Sequence, residues 1–295
     1  MTLLIMAAGS GSRYGGLKQF DGLGPNGEYL LEYTIFNSIA AGFTHIVVIA
    51  KPNNVGDIKS YLASKLPSHI ELKVLGQSIT DVPEGFTAPA GREKPWGTAH
   101  AVWTARHDIH SPFATVNADD YYGPEAFKDA GAYLNKLPNN TTYGLVAYRL
   151  ENTLSNYGTV SRGVCKVSGG QLQDIQEHTR LEATAPNVVT DYETGNTFPM
   201  DSPVSMNFWL CTPHIFPAIT ARFVEFLSGD SPEKGELYLP YIVAEQLEVN
   251  EVSVGVIATT SQWFGLTYAQ DKAAAMGILN SLHVSGIYPA SLWKR

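Results

Sequence analysis

At 295 residues, with 44% hydrophobic and 16% charged side chains, the chain has the composition of a globular protein with a sizeable core, not of a disordered or fibrous one. Its 28 acidic and 20 basic residues leave a net charge of −8, which argues against nucleic acid or an anionic membrane as partner and requires any anionic substrate to meet a locally built positive site. Two cysteines, Cys165 and Cys211, are too few for a disulfide framework and suit a reducing, cytoplasmic setting; no stretch approaches the ~20 apolar residues of a membrane span.

The opening MTLLIMAAGSGSR lacks the basic start of a signal peptide, and Leu3–Ala7 is predicted as a buried parallel strand. After a glycine-rich loop, Glu28–Ala41 has apolar residues at helical spacing (Leu31, Ile35, Ile39) and stops at Gly42. Thr44–Ala50 is predicted as a second buried strand, Asp57–Leu66 as a helix, Ile70–Leu75 as extended and Thr98–Arg106 as a helix. Phe113–Asn117 is a strand that delivers Asp119 and Asp120 beyond its carboxyl end. The alternation predicts an α/β fold, a Rossmann-like, mostly parallel mixed sheet with helices on both faces, and ligands in such sheets bind beyond the carboxyl ends of the strands.

The second half differs in texture. Val164–His178 carries two extended runs around Gly169-Gly170, a hairpin signal. Ser205–Cys211 is predicted as a strand, Pro217–Leu227 and Leu239–Leu247 as helices, and the polar stretch 182–203 as a loop or lid. Residues 281–295 cap the fold or form a dimer contact; Trp263, Phe264 and Trp293 are core or interface aromatics. His107 and His110 have helical spacing, but no further metal ligands accompany them.

The loop after the first strand holds Gly9, Gly11, Gly15 and Gly16 together with Arg13 and Lys18, the only Lys or Arg in residues 1–50. Glycines after a buried strand let backbone N–H groups approach an anion closely. The spacing is neither GxGxxG nor GxxxxGK[ST], and no helix starts until Glu28. The loop is suited to wrapping a triphosphate and presenting two cations to it.

AAGSGSRYGGLKQ resembles the signature of the sugar-phosphate nucleotidylyltransferases, the nucleotide-diphospho-sugar pyrophosphorylases. Further segments are similar to that family in its own order from residue 2 to about 245: WGTAHA (Trp96–Ala101), NADD (Asn117–Asp120), NYGTV (Asn156–Val160), QEH (Gln176–His178), MNF (Met206–Phe208) and KGELYLPYIV (Lys234–Val243). The resemblance is nearest to the uridylyl- and thymidylyltransferases. It implies transfer of a nucleotidyl group from an NTP, UTP or dTTP, to a sugar 1-phosphate, with release of pyrophosphate by direct in-line attack. Lys18 and Arg13 would be catalytic, and Asp119 would bind Mg²⁺. Ala8, Gly9, Gly11, Ser12, Gln77, Gly97 and Thr98 would bind the nucleotide; Gly158, Glu177 and Asn207 would bind the sugar.

The same resemblance implies one nucleotidyltransferase domain over 1–295, with a nucleotide half (1–125), a sugar-phosphate half (140–260) and a C-terminal helical cap (265–295). Its substrates are small molecules, and a homo-oligomer is compatible with it. The chain departs from the family pattern at three places. Gly265 stands where a second acidic metal ligand is expected, with Asp271 the next acid; Arg92 stands where a glutamine reads the base; and Arg180 is the first cation after Glu177 where relatives have a lysine. Two other functions stay open: a CTP-dependent cytidylyltransferase acting on a phospho-alcohol such as phosphocholine, and a non-catalytic nucleotide-sugar sensor or regulatory subunit.

Overall fold

The structure is a computed structural model, and it describes residues 1–9, 22–155, 157–229, 234–266 and 271–293. The loop cations Arg13 and Lys18, with Gly11 and Ser12, lie outside the described residues, as does Asn156.

The first half is a parallel βα series: β1 (Thr2–Met6), α1 (Leu30–Ala40), β2 (His45–Ala50), α2 (Val55–Ala63), β3 (Glu71–Gly76), α3 (Thr98–Thr104), β4 (Phe113–Asn117), the short β5 (Asp120–Tyr121) and α4 (Pro124–Leu134). Strand β1 pairs in parallel with β2 and β4, and β2 with β3. All five residues of β1 are buried, because the strand is covered on both faces. Leu3 and Ile5 join the core beneath α1, α2 and α4, whereas Leu4 and Met6 join a second core with residues of α3. Helix α1 ends as predicted, with Gly42 at φ 90° and the Phe43 N–H returning to the Ser38 carbonyl (3.0 Å).

The second half comprises β6 (Thr142–Arg149), β7 (Val160–Ser168), β8 (Gln171–Ala185), β9 (Val188–Asp191), β10 (Thr197–Pro199), β11 (Pro203–Cys211), α5 (Ile215–Leu227), α6 (Leu239–Glu248), β12 (Ser253–Ala258), β13 (Phe264–Gly265) and α7 (Asp271–Val284). One mixed sheet runs β10-β9-β8-β12-β6-β11-β4-β1-β2-β3, with β7 bridging β8 and β11. Gly169 (φ 58°) and Gly170 (φ 76°) form the predicted hairpin turn, between β7 and β8.

The stretch 182–203 is not a loop. It completes β8 and contributes β9, β10 and the start of β11 as an antiparallel ribbon. Its apolar alternation is weak: Val189 joins the core with Phe198 and Met200 packed against it, and polar contacts supplement that narrow face. Buried Asp191 accepts from His178 Nδ1 (2.9 Å), from Thr194 Oγ1 (2.8 Å) and from the Glu193 N–H (3.1 Å). The C-terminal segment packs on α1. Tyr33 meets His283 (2.8 Å), Asn37 donates to the Tyr288 hydroxyl (2.9 Å) and Trp293 donates to Glu32 (2.8 Å).

Strand β11 joins the halves, antiparallel to both β4 and β6. Ser205 pairs with Ala147 and Trp209 with Leu145, so β11 takes four steps where β6 takes two. Asn207, at φ 60°, sits inside that bulge. Because only Gly, Asn and Asp tolerate this backbone well, Asn207→Ala should cost about 1–2 kcal/mol in urea denaturation while Asn207→Gly stays near neutral. Equal stability of the two variants would remove the backbone constraint.

Candidate active site

Residues from the carboxyl ends of β1, β3 and β4 line one cavity of about 360 Å³: Met6, Ala8 and Gly9 after β1, Gln77 after β3, and Asn117 with Asp119 after β4. Gly97 and Thr98, at the start of α3, also line it, beside Lys94, Glu236 and Tyr238. Gly97 has φ 102°, and a Cβ there would collide with the Leu237 carbonyl oxygen, so only glycine lets this turn meet that segment. The Ala99 N–H donates to the same carbonyl (2.9 Å), and Thr98 Oγ1 accepts from the Leu239 N–H (2.9 Å).

Gln77 is fixed by groups whose roles are unambiguous. Its Nε2 donates to the Gly97 carbonyl (3.0 Å) and to His100 Nδ1 (3.1 Å), while His100 Nε2 donates to the Asp81 carbonyl (2.8 Å). Carbonyls only accept, so these two ends set both the amide orientation and the imidazole tautomer. They leave Oε1 as the amide's remaining acceptor. Burial pushes His100 down to about 4, so the ring is neutral at pH 7. Arg92 does not line this cavity. It is buried with its guanidinium 3.7 Å from the Trp96 ring and donates to the Pro95 and Gly235 carbonyls (both 2.9 Å), bracing the wall from behind.

A second, polar cavity of about 210 Å³ is lined by Asp119, Asp120, Glu177 and Asn207 among others. It shares Asn117, Asp119 and Asn207 with the first, so the two cavities meet at these residues. Glu177 is open to the cavity yet ringed by protein. That enclosure raises its carboxyl above the usual range, and Arg162 and His178 partly offset the rise. Gly158 lies just before β7 and lines neither cavity. Arg180 is exposed and is also absent from both walls.

Asp120 occupies the place where sequence reasoning sought a second acid. Gly265 pairs with it across β13–β5, and a Cβ at 265 would lie 2.6 Å from Asp120 Oδ1. The carboxylate accepts from Asn117 Nδ2 (2.9 Å) and the Tyr122 hydroxyl (3.2 Å). Asp271 lines neither of the two joined cavities; it belongs to a third, of about 690 Å³. No group of three or more potential metal-ligating side chains occurs among the described residues, and His107 and His110 are exposed. No described helix is long and apolar enough to cross a membrane.

Sequence reasoning missed Arg162 and Trp263, which line both the second and third cavities. Arg162 is buried, 7% exposed, with its guanidinium 4.6 Å from the Trp263 ring. It donates to the carbonyls of Ser161 (2.6 Å) and Thr153. The available signal was a cation within the strand-like run VSRGVC. Trp263 carries none by itself.

Cavities at the carboxyl edge of a doubly wound sheet define the site class of α/β nucleotide-binding proteins. Residues 2–216 match the family model described as nucleotidyl transferase, and the chain belongs to that family of enzymes. Solved structures share the fold. The inositol-1-phosphate CTP transferase from T. maritima aligns at TM-score 0.64 and 13% identity, over 94% of this chain and 95% of that one. UDP-glucose pyrophosphorylase, complexed with UDP-glucose, aligns at 0.59 and 17%, over 94% and 97%. A protein from Bacillus anthracis, provisionally a glucose-1-phosphate thymidylyltransferase, aligns at 0.64 and 15%, over 95% of each chain. No curated protein sequence matches the chain.

The His100 lock carries a pH signature. Its folded-state proton affinity lies below that of the unfolded chain, so the unfolded state takes the proton first as pH falls from about 6.5 to about 4. Acidification across that window should remove stability on the order of 3 kcal/mol. In urea titrations His100→Gln should flatten that part of the profile, and an unchanged slope would contradict the assignment.

Proposed function

We propose that the protein transfers a nucleotidyl group from an NTP, UTP or dTTP, to a sugar 1-phosphate, releasing pyrophosphate. The observation that carries this reading is the pair of cavities meeting at Asn117, Asp119 and Asn207, one lined by Ala8, Gly9, Gln77, Gly97 and Thr98 and the other by Glu177 and Asp120. The first would hold the nucleotide against Ala8, Gly9, Gln77, Gly97 and Thr98, and the second would hold the sugar through Glu177 and Asn207. Gly158, off the wall, would act only by shaping the approach to β7. Residues 1–295 would work as one domain, with the nucleotide half, sugar half and C-terminal cap drawn from the sequence.

In the reaction a phosphate oxygen of the acceptor attacks the α-phosphorus. The bond to the β-phosphate breaks, and its electron pair leaves with pyrophosphate. Positioning and charge neutralisation supply most of the acceleration in such chemistry. Arg13 would hold the β- and γ-phosphates, and Lys18 would bridge the nucleotide and acceptor phosphates. Asp119 fits a Mg²⁺ ion: it is a half-buried oxygen donor where the cavities meet, and Mg²⁺ takes one or two carboxylates together with substrate phosphates. When bound there, the ion would offset negative charge at the α-phosphate.

The similarity to the inositol-1-phosphate CTP transferase from T. maritima keeps CTP and a cyclic polyol phosphate as a second reading. The Oε1 of Gln77 accepts from an N–H of either pyrimidine type, so base selection is decided by assay. Pyrophosphate release measured for each NTP with a pool of sugar 1-phosphates, inositol 1-phosphate and phosphocholine should require Mg²⁺, one base and a sugar 1-phosphate. Lys18→Ala should lower turnover on the order of 10²–10³-fold without unfolding the protein. Near-normal turnover of that variant, or tight binding of a nucleotide sugar with no release from any pair, would refute the reading.

A further inference from the structure

Arg162 is a buried cation left only partly neutralised by the protein. No carboxylate lies within ion-pair distance of it among the described residues; Asp120 and Glu177 act on it only at longer range. Removing a guanidinium from water costs several kcal/mol unless charge or hydrogen bonds return the loss. Burial lowers its proton affinity to about 10, so it still carries its charge at neutral pH. Its Nε and the Nε1 of Trp263, the ring it stacks on, are both buried donors without an acceptor among the described residues. Both side chains line the cavity of Glu177 and Asn207, so an oxyanion seated there would return charge and hydrogen bonds to the buried guanidinium.

The fork is also immobilised. The carbonyls of Ser161 and Thr153 hold the two terminal nitrogens, and Trp263 lies against the plane. A guanidinium held this way is preorganised for a planar or tetrahedral oxyanion, where an ammonium on a flexible stem is not. The segment after Glu177 offers the cavity no rival: His178 is committed to Asp191, and Arg180 is exposed and off the wall.

We propose that Arg162, stacked on Trp263, seats an oxyanion of the sugar-side substrate and thereby selects the acceptor. This inference rests on the transfer reaction proposed above. The oxyanion has two possible sources, the ester phosphate of the acceptor or a carboxylate on its ring.

Steady-state KM values for acceptor and NTP, measured separately for the wild type, Arg162→Lys and Arg162→Met, test it with a neutral hexose 1-phosphate and a hexuronic acid 1-phosphate. Arg162→Met should raise the acceptor KM about tenfold or more, with the NTP KM nearly unchanged and Arg162→Lys in between. An equal penalty on both acceptors assigns the seat to the phosphate; a penalty confined to the uronic acid assigns it to the carboxylate. An unchanged acceptor KM overturns the proposal. If Arg162→Met does not fold, the acceptor KM of Arg162→Lys decides in the same way.

Absence of turnover by the wild type with every substrate pair would instead break the reaction reading. Calorimetry with inorganic phosphate and with glucuronate would then test Arg162 directly. Binding of one anion by the wild type and not by the variant supports the seat; identical titrations overturn it.

Discussion

The architecture depends on one strand running against its neighbours. β11 is hydrogen-bonded to β4 on one side and β6 on the other, antiparallel to both, so it is the seam between the parallel half and the ribbon half. A regular strand there would alternate its side chains between the two cores. The bulge keeps that alternation, with Val204, Met206, Phe208 and Leu210 in one core and Trp209 and Cys211 in the other, and at its centre the Asn207 carbonyl accepts from Thr115 Oγ1 (3.4 Å) while the Met206 carbonyl accepts from the Tyr122 hydroxyl (3.0 Å). Phe208 and Trp209 return to the core immediately afterwards. The slip therefore places one amide where the two cavities meet and keeps the apolar residues on both sides of it buried.

The electrostatics follow from the same placement. The walls around that junction carry Asp119, Asp120 and Glu177, in a chain already at −8. Anionic substrates would meet repulsion there unless cations oppose it at close range. The glycine loop holds Arg13 and Lys18 by sequence, and the buried Arg162 of β7 acts on Asp120 of the other half and on Glu177 of the neighbouring β8. Among the described residues, Asp119 and Asp120 from the first half thus share one small cavity with Arg162 and Glu177 from the second.

Much of the fold was legible in the sequence because its signals are local. Continuous apolar runs marked β1, β2 and β4, Gly42 marked the end of α1, and Gly169-Gly170 marked a hairpin. Where packing is polar, those signals fade. The 182–203 ribbon is held by Asp191 and its three donors beside a few scattered apolar contacts (Val189, Phe198, Met200), too sparse to form a pattern, and it read as a loop. The site divided in the same way. Residues in compact motifs (Ala8, Gly9, Gly97, Thr98, Asp119) and the strand-end residues Gln77, Glu177 and Asn207 fall on the cavity walls. Gly158 does not, and Gly11, Ser12, Arg13 and Lys18 lie outside the described residues. Arg162 and Trp263 come together only through tertiary structure, a hundred positions apart, and no spacing rule reaches that far.

The central claim is that nucleotide and acceptor sit in joined cavities at the same time and react directly across Asp119. Initial-rate measurements with both substrates varied test it most directly. The account predicts intersecting double-reciprocal lines, because both anions must be bound before transfer. Parallel lines, the signature of a nucleotidyl group parked on the protein between two half-reactions, would contradict it.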